Sequence, residues 1–185
     1  MGLKSTSMRF ALLISAFFII ICLPALAATH GEFDRTLKVS GSVNLQVETG
    51  SGSIDVRTGN SSEVHVVGHI RATEWFGDNA DEKIKRLESN PPIQQSGNDV
   101  RIGHIDDPEL KHNISISYEL VVPASTALRA SSGSGSQTVS GISGSLEAST
   151  GSGSLKISSI GSSVRAHTGS GSVEIDGAKG SVYAR

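Results

Sequence analysis

The chain has 185 residues, with 16 basic and 18 acidic side chains, a formal net charge of −2, 37% hydrophobic residues and 4% aromatic residues. A balance this close to neutral, with no strongly basic stretch, argues against nucleic acid or an anionic membrane surface as a partner. One cysteine excludes a disulfide framework, and 21 glycines leave two options, a disordered Gly/Ser linker or a repeat whose corners need those residues.

The first stretch reads as a leader rather than as fold. Lys4 and Arg9 are basic, residues 10–23 are almost wholly apolar, Pro24 breaks the run, and Ala25-Leu26-Ala27 places small residues at the cleavage positions. This is the layout of a secretory signal peptide. The apolar run is short for a bilayer-spanning helix. An uncleaved anchor and a lipoprotein lipidated at Cys22 are the alternatives, the second disfavoured by Ile21 where a small residue belongs. Cleavage after Ala27 leaves 158 of the 185 residues, a size that suits one domain. It removes Cys22, and because Lys4 and Arg9 go with it the formal charge falls from −2 to −4. The expected location is the periplasm, the cell surface or the extracellular space.

Residues 37–47 alternate apolar and polar, interrupted by Gly41-Ser42. Thr49-Gly50-Ser51-Gly52-Ser53 reads as a corner, flanked by Leu45-Gln46-Val47 and Ile54-Asp55-Val56 nine residues apart. Asn60-Ser61-Ser62 turns the chain into a strand over 63–71, with Val64 and Val66 inward. An insertion at about 72–95 holds the best helix, capped by Asp78 or Asn79. Ala80, Ile84 and Leu87 form its apolar stripe, and Asp81–Lys85 and Glu82–Arg86 are i,i+4 pairs on the wet side. Asn90-Pro91-Pro92 ends it. Val100-Arg101-Ile102 and residues 114–122 read as strands, the latter stopped by Pro123.

From about 124 to 185 the chain is regular. Ser145-Leu146-Glu147-Ala148-Ser149 recurs in altered form from Ser154, Ser163, Ser172 and Ser181, nine residues apart each time, always with polar and apolar residues alternating as in a half-buried strand. The second inward position runs Ala130, Val139, Ala148, Ile157, Ala166, Ile175, Ala184, small and large in turn, so the full repeat is 18 residues. The links alternate too. Gly-Ser-Gly-Ser begins at 133, 151 and 169, and the other set carries Ile142, Ile160 and Ala178. A linker has no reason to hold apolar positions in phase. The reading is therefore all-β: a β-solenoid or β-roll of nine-residue strand-turn units, 18 residues per coil, with one short helix insertion, forming a single domain over 28–185. A serial antiparallel meander is the alternative topology.

Candidate chemistry is sparse. His30 sits at the mature terminus. His65 and His69 are about 13 Å apart along an extended strand, too far for one ion unless Gly68 bends it. His104 and His112 flank Asp106-Asp107, the leading metal candidate of the six histidines, but a solvated loop is the preferred reading of that segment. The serines fall at repeat corners rather than at one strained strand-to-helix turn. No catalytic residue, metal site or cofactor is assigned, and the protein is read as not an enzyme.

Three segments carry a family resemblance: Ser117-Tyr118-Glu119-Leu120-Val121-Val122-Pro123, then Leu128-Arg129-Ala130-Ser131-Ser132-Gly133-Ser134-Gly135, then the tandem copies typified by Ala148-Ser149-Thr150-Gly151-Ser152-Gly153-Ser154-Leu155-Lys156-Ile157. From about residue 33 onward the chain resembles the bacterial DUF4097 putative-adhesin (YvlB-like) family. The resemblance implies an exported right-handed β-solenoid or roll and brings no catalytic residues with it. Relatives often carry Gly-Asp-Ile or Gly-Asp-Val where this chain has Ser154-Leu155 and Ser172-Val173. The chain thus has fewer acidic corners, which weakens any calcium-based binding.

The resulting expectation is a non-catalytic structural or adhesin-like binding module of the cell envelope. It would bind a protein or glycan, not nucleic acid, through an exposed row of Arg129, Glu147, Lys156, Arg165, Glu174 and Tyr183. The alternative is an envelope-stress or signalling accessory acting through a membrane partner, and a glycan-active enzyme ranks third. Val182 and Ala184 continue the inward phase to Arg185 with no capping segment after them. Fraying, weak self-association through that edge, or a longer natural chain would each follow.

Overall fold

The computed structural model describes residues 28–60, 62–73 and 79–185. The expected leader at 1–27, with Cys22 and the cleavage site, lies outside these residues, as does Asp78, one of the two expected helix caps.

In chain order the elements are β1 (Ala28–Lys38), β2 (Val43–Ser51), β3 (Ile54–Thr58), β4 (Glu63–Thr73), α1 (Ala80–Ser89), β5 (Ile93–Ser96), β6 (Asp99–Ile102) and α2 (Pro108–Lys111). There follow β7 (Ile114–Val122), β8 (Thr126–Ser134), β9 (Gln137–Ser140), β10 (Leu146–Ser152), β11 (Leu155–Ile160), β12 (Val164–Ser170), β13 (Val173–Ala178) and β14 (Val182–Ala184).

Among the described residues the strands form two sheets of seven. One runs β14-β12-β10-β8-β2-β6-β5 and the other β1-β4-β7-β3-β9-β11-β13. From β8 onward successive strands alternate between the sheets, and each pairs in parallel with the strand after next. Glu147 of β10 thus lies between Arg129 of β8 and Arg165 of β12, each partner 18 residues away. This register explains the alternation of small and large residues. Ala130, Ala148, Ala166 and Ala184 align on the first sheet, and Val139, Ile157 and Ile175 align on the second. Both rows enter one core, where Ala130, Ala148, Ala166, Val139 and Ile157 are buried. Small residues on one sheet leave room for large ones on the other, which is how a two-layer core fills its volume.

The early nine-residue pair joins the same ladders. β2 pairs in parallel with β8, setting Leu45 beside Leu128, and β3 pairs with β9, setting Val56 beside Val139. The intervening segment widens both sheets. β7 and β6 pair in parallel with β3 and β2. β4 and β1 then extend one edge antiparallel, and β5 extends the other as a hairpin turned at Gly97, whose φ is +62°.

Helix α1 buries Ala80, Ile84 and Leu87, the stripe expected from sequence, and packs against β1 and β4. Gly31 is required there, since a Cβ on it would run into the Ile84 side chain. Two expectations about the helix need correction. Asn79 is the N-cap residue but its side chain makes no capping bond. Arg86 does not pair with Glu82 but reaches Asp107, at 3.1 Å. The loop after β6 brings that carboxylate within range, and a fixed tertiary partner displaces a weak exposed i,i+4 pair. Strand β5 and helix α2 were not expected from sequence. Yet α2 has a readable start: the Asp107 carboxylate accepts from the Glu109 N–H at 2.9 Å, with Pro108 at the first helical position.

Candidate functional site

Period-two alternation sends every second side chain of a strand outward, and the register decides which outward residues become neighbours. On the first sheet one unbroken row crosses all seven strands: Gln94, Arg101, Gln46, Arg129, Glu147, Arg165, Tyr183. Arg129, Glu147, Arg165 and Tyr183, four of the six residues expected as an exposed row, are therefore immediate neighbours. Lys156 and Glu174 are not with them. They pair with each other's strands on the second sheet, in the row Asp34, Val67, Glu119, Asp55, Thr138, Lys156, Glu174. Successive strands here alternate between the two sheets, so residues nine apart in sequence lie on different sheets. The single row expected from sequence is in fact two.

That division sorts the charges. The row on the first sheet has three arginines and one glutamate, and the row on the second has four carboxylates and one lysine. In sequence the two rows interleave and read as mixed. Gln94, Arg101, Gln46, Arg129, Arg165 and Tyr183 all line one continuous trough of about 910 Å³ along the first sheet. Arg129 is braced by Glu147, Nη2 to Oε2 at 2.8 Å. Arg101 and Arg165 are exposed and have no ion pair among the described residues. Sequence reasoning missed Arg101, Gln46 and Gln94, because nothing in a single sequence reveals that β6 and β5 continue the ladder of β2.

The histidines are distributed among carboxylates rather than gathered. His65 Nε2 lies 2.7 Å from Asp34, and His69 lies 3.3 Å from both Glu32 and Glu119. His104 sits between Glu48 at 2.6 Å and Asp106 at 3.0 Å, and this hydrogen bond and the two negative charges raise its pKa above the ordinary imidazole value. The candidate cluster of His104, Asp106, Asp107 and His112, disfavoured on sequence, is not assembled. Asp107 turns to α2 and Arg86, and the His112 backbone carbonyl accepts a 3.5 Å bond from Lys83. No group of three or more His, Cys, Asp or Glu side chains placed to share a metal ion occurs among the described residues. Nearby, Tyr118 is buried against Phe33, ring centroids 6.4 Å apart, and burial pushes its hydroxyl pKa well up.

The Gly-Ser-Gly-Ser corners have a structural role. The residue before each one turns inward and bonds across the corner: Ser132 to the Gly52 carbonyl, Thr150 to Gly135 and Thr168 to Gly153, at 2.9–3.2 Å. The signal is visible in sequence as Thr or Ser before Gly-Ser-Gly-Ser at 49, 132, 150 and 168.

No protein-family model matches the chain, and no curated protein matches it in sequence. The DUF4097 resemblance therefore has no family match behind it. Two solved structures are distantly similar in shape. A "putative cell adhesion protein" from Clostridium sporogenes ATCC 15579 is 12% identical, with a TM-score of 0.47, over 84% of this chain and 99% of that one. A "putative adhesin" from Bacteroides fragilis NCTC 9343 is 11% identical, with a TM-score of 0.27, over 83% of this chain and 97% of that one.

Proposed function

We propose that the protein is a non-catalytic binding module of the cell envelope, exported by a leader cleaved after Ala27, whose working surface is the trough on the outer face of the first sheet. In this reading residues 28–185 form one β-solenoid domain with 18-residue coils. The parallel pairing of Leu128, Leu146, Val164 and Val182 supports the coil. The observation that carries the function is the seven-residue row itself: polar side chains, three of them arginines against one glutamate, in register across every strand of a sheet and lining one open trough. A rigid sheet holds such a row without further ordering on binding, which lowers the entropic cost of holding a long ligand. Weak self-association through the edge at β13 and β14 belongs to the same reading, supported by Val182 and Tyr183 being 51% and 57% exposed on an edge strand.

Retention on isolated cell envelopes tests the proposal. The protein should sediment with envelopes, Arg101→Gln/Arg165→Gln should release it, and Glu119→Gln/Glu174→Gln on the other sheet should not. Equal retention of all three proteins would refute the trough as the working surface.

A further inference from the structure

We propose that the arginine row of the first sheet recognises an extended acidic polysaccharide that carries one carboxylate on every second sugar. This inference rests on the reading of that face as the binding surface and supplies the ligand class.

Spacing is the main argument. The arginines occupy alternate strands, Arg101 on β6, Arg129 on β8 and Arg165 on β12, with one strand between each successive pair. Adjacent strands are about 4.8 Å apart, so the guanidinium groups recur at about 10 Å. An extended chain of pyranose sugars advances by a similar distance per disaccharide. A carboxylate on every second ring therefore meets an arginine each time, and a guanidinium matches a carboxylate in bidentate geometry.

Glu147 sharpens the assignment. It lies in the row between Arg129 and Arg165 and takes one N–H of Arg129 at 2.8 Å, leaving that guanidinium's other donors for a ligand carboxylate. A polymer charged on every unit would place an anion beside this carboxylate, whereas an alternating polymer places an uncharged ring there. Gln46 occupies the equivalent gap between Arg101 and Arg129, and its amide can both donate to and accept from sugar hydroxyls. Tyr183, exposed at the far end of the row, offers an aromatic face for a sugar ring. Six strand intervals make the trough about 29 Å long, and its sides are open, so a linear polymer can enter laterally. Nucleic acid fits less well. Its phosphates are more closely spaced, and single strands are held on several stacking aromatics, where this row has one tyrosine.

Calorimetry with defined oligomers tests the inference. The probes are a hyaluronan octasaccharide, which alternates acidic and neutral sugars, a galacturonate octamer, acidic on every sugar, a neutral chitin oligomer, and oligothymidylate. Hyaluronan should bind tightest, more weakly as salt rises. Arg101→Gln/Arg165→Gln should weaken it by about a hundredfold, roughly tenfold for each lost charged hydrogen-bonding partner, with an unchanged thermal melt. Absence of hyaluronan binding, equal binding of the galacturonate or chitin oligomer, a preference for oligothymidylate, or undiminished binding by the variant would each overturn the proposal. Light scattering that shows an Arg101- and Arg165-dependent dimer would assign the face to a second copy of this chain instead. Should the variant leave the envelope while hyaluronan fails to bind, the trough remains the working surface and only the polysaccharide assignment falls.

Discussion

Ile157 and Lys156 are adjacent on β11, yet one is 1% exposed in the core and the other is on the surface. Ile157→Ala should cost about 2–5 kcal/mol, as truncating a buried isoleucine does. Ile157→Asp should cost more by burying an unpaired charge, and Lys156→Asp should stay within about 0.5 kcal/mol. Urea denaturation of the three variants checks the pattern, and equal effects at 156 and 157 would reverse the inward assignment. Gln137 is buried with Thr126, Ser132 and Thr150, and among the described residues it alone of these four keeps an unpartnered side-chain atom. It is 1% exposed and sits in register with Leu155 and Ile54; its Nε2 donates to the Ser149 carbonyl, and its Oε1 has no partner. Losing that bond costs about 1 kcal/mol, while an orphaned buried acceptor costs about 1–3 kcal/mol. Gln137→Leu should therefore leave stability unchanged or raise it, and a loss above about 2 kcal/mol in the same denaturation would show that the Ser149 bond is what holds the corner. His104 gives a pH dependence. Its folded pKa is raised, first by the Glu48 hydrogen bond and then by the charges of Asp106 and Glu48, so its contribution is complete below the unfolded value near 6.5 and disappears as pH rises through the folded value. The stability advantage of the wild type over His104→Gln should be present at about pH 5 and absent at about pH 9, and an advantage that grows with pH would contradict the pairing.

At the scale of elements, the corners set the limits of substitution. A Cβ on Gly153 would meet the Gly135 carbonyl oxygen of the preceding turn, and the same close approach recurs at Gly171 over Gly153. Gly153→Ala should destabilise by about 1–3 kcal/mol, measured by denaturant midpoint, with Ser152→Ala near neutral because Ser152 is exposed. The strand phases, the α1 stripe and the Gly-Ser-Gly-Ser corners were legible in sequence, because each follows from local periodicity. The pairing of β2 with β8 and of β6 with β2 was not. Partners such as Leu45 and Leu128 are separated by a long excursion, and nothing local specifies them. For the same reason the outward phase of Arg129, Glu147, Lys156, Arg165, Glu174 and Tyr183 can be read in sequence, while the division of that row between two sheets, and the joining of Arg101 and Gln46 to one of them, cannot. The edge at β13 and β14 adds a prediction. Light scattering should show a weak, concentration-dependent dimer that Val182→Lys abolishes, and a strict monomer at high micromolar concentration would eliminate edge pairing.

At the scale of the whole molecule, one register organises packing and surface together. Repeating every 18 residues lets alanine rows on one sheet interlock with valine and isoleucine rows on the other, and the same repeat separates an arginine-rich outer row from a carboxylate-rich one. The proposed binding surface depends on that register. It is open to direct measurement, because the chain has a single cysteine, Cys22. Nitroxides attached at Gln46→Cys and Tyr183→Cys in a Cys22→Ser background lie on β2 and β14, four strand intervals apart along one row. Pulsed dipolar spectroscopy should give a single distance centred near 20 Å, four times about 4.8 Å. A broad distribution, or a distance well beyond about 30 Å as a serial meander would produce, would contradict the account.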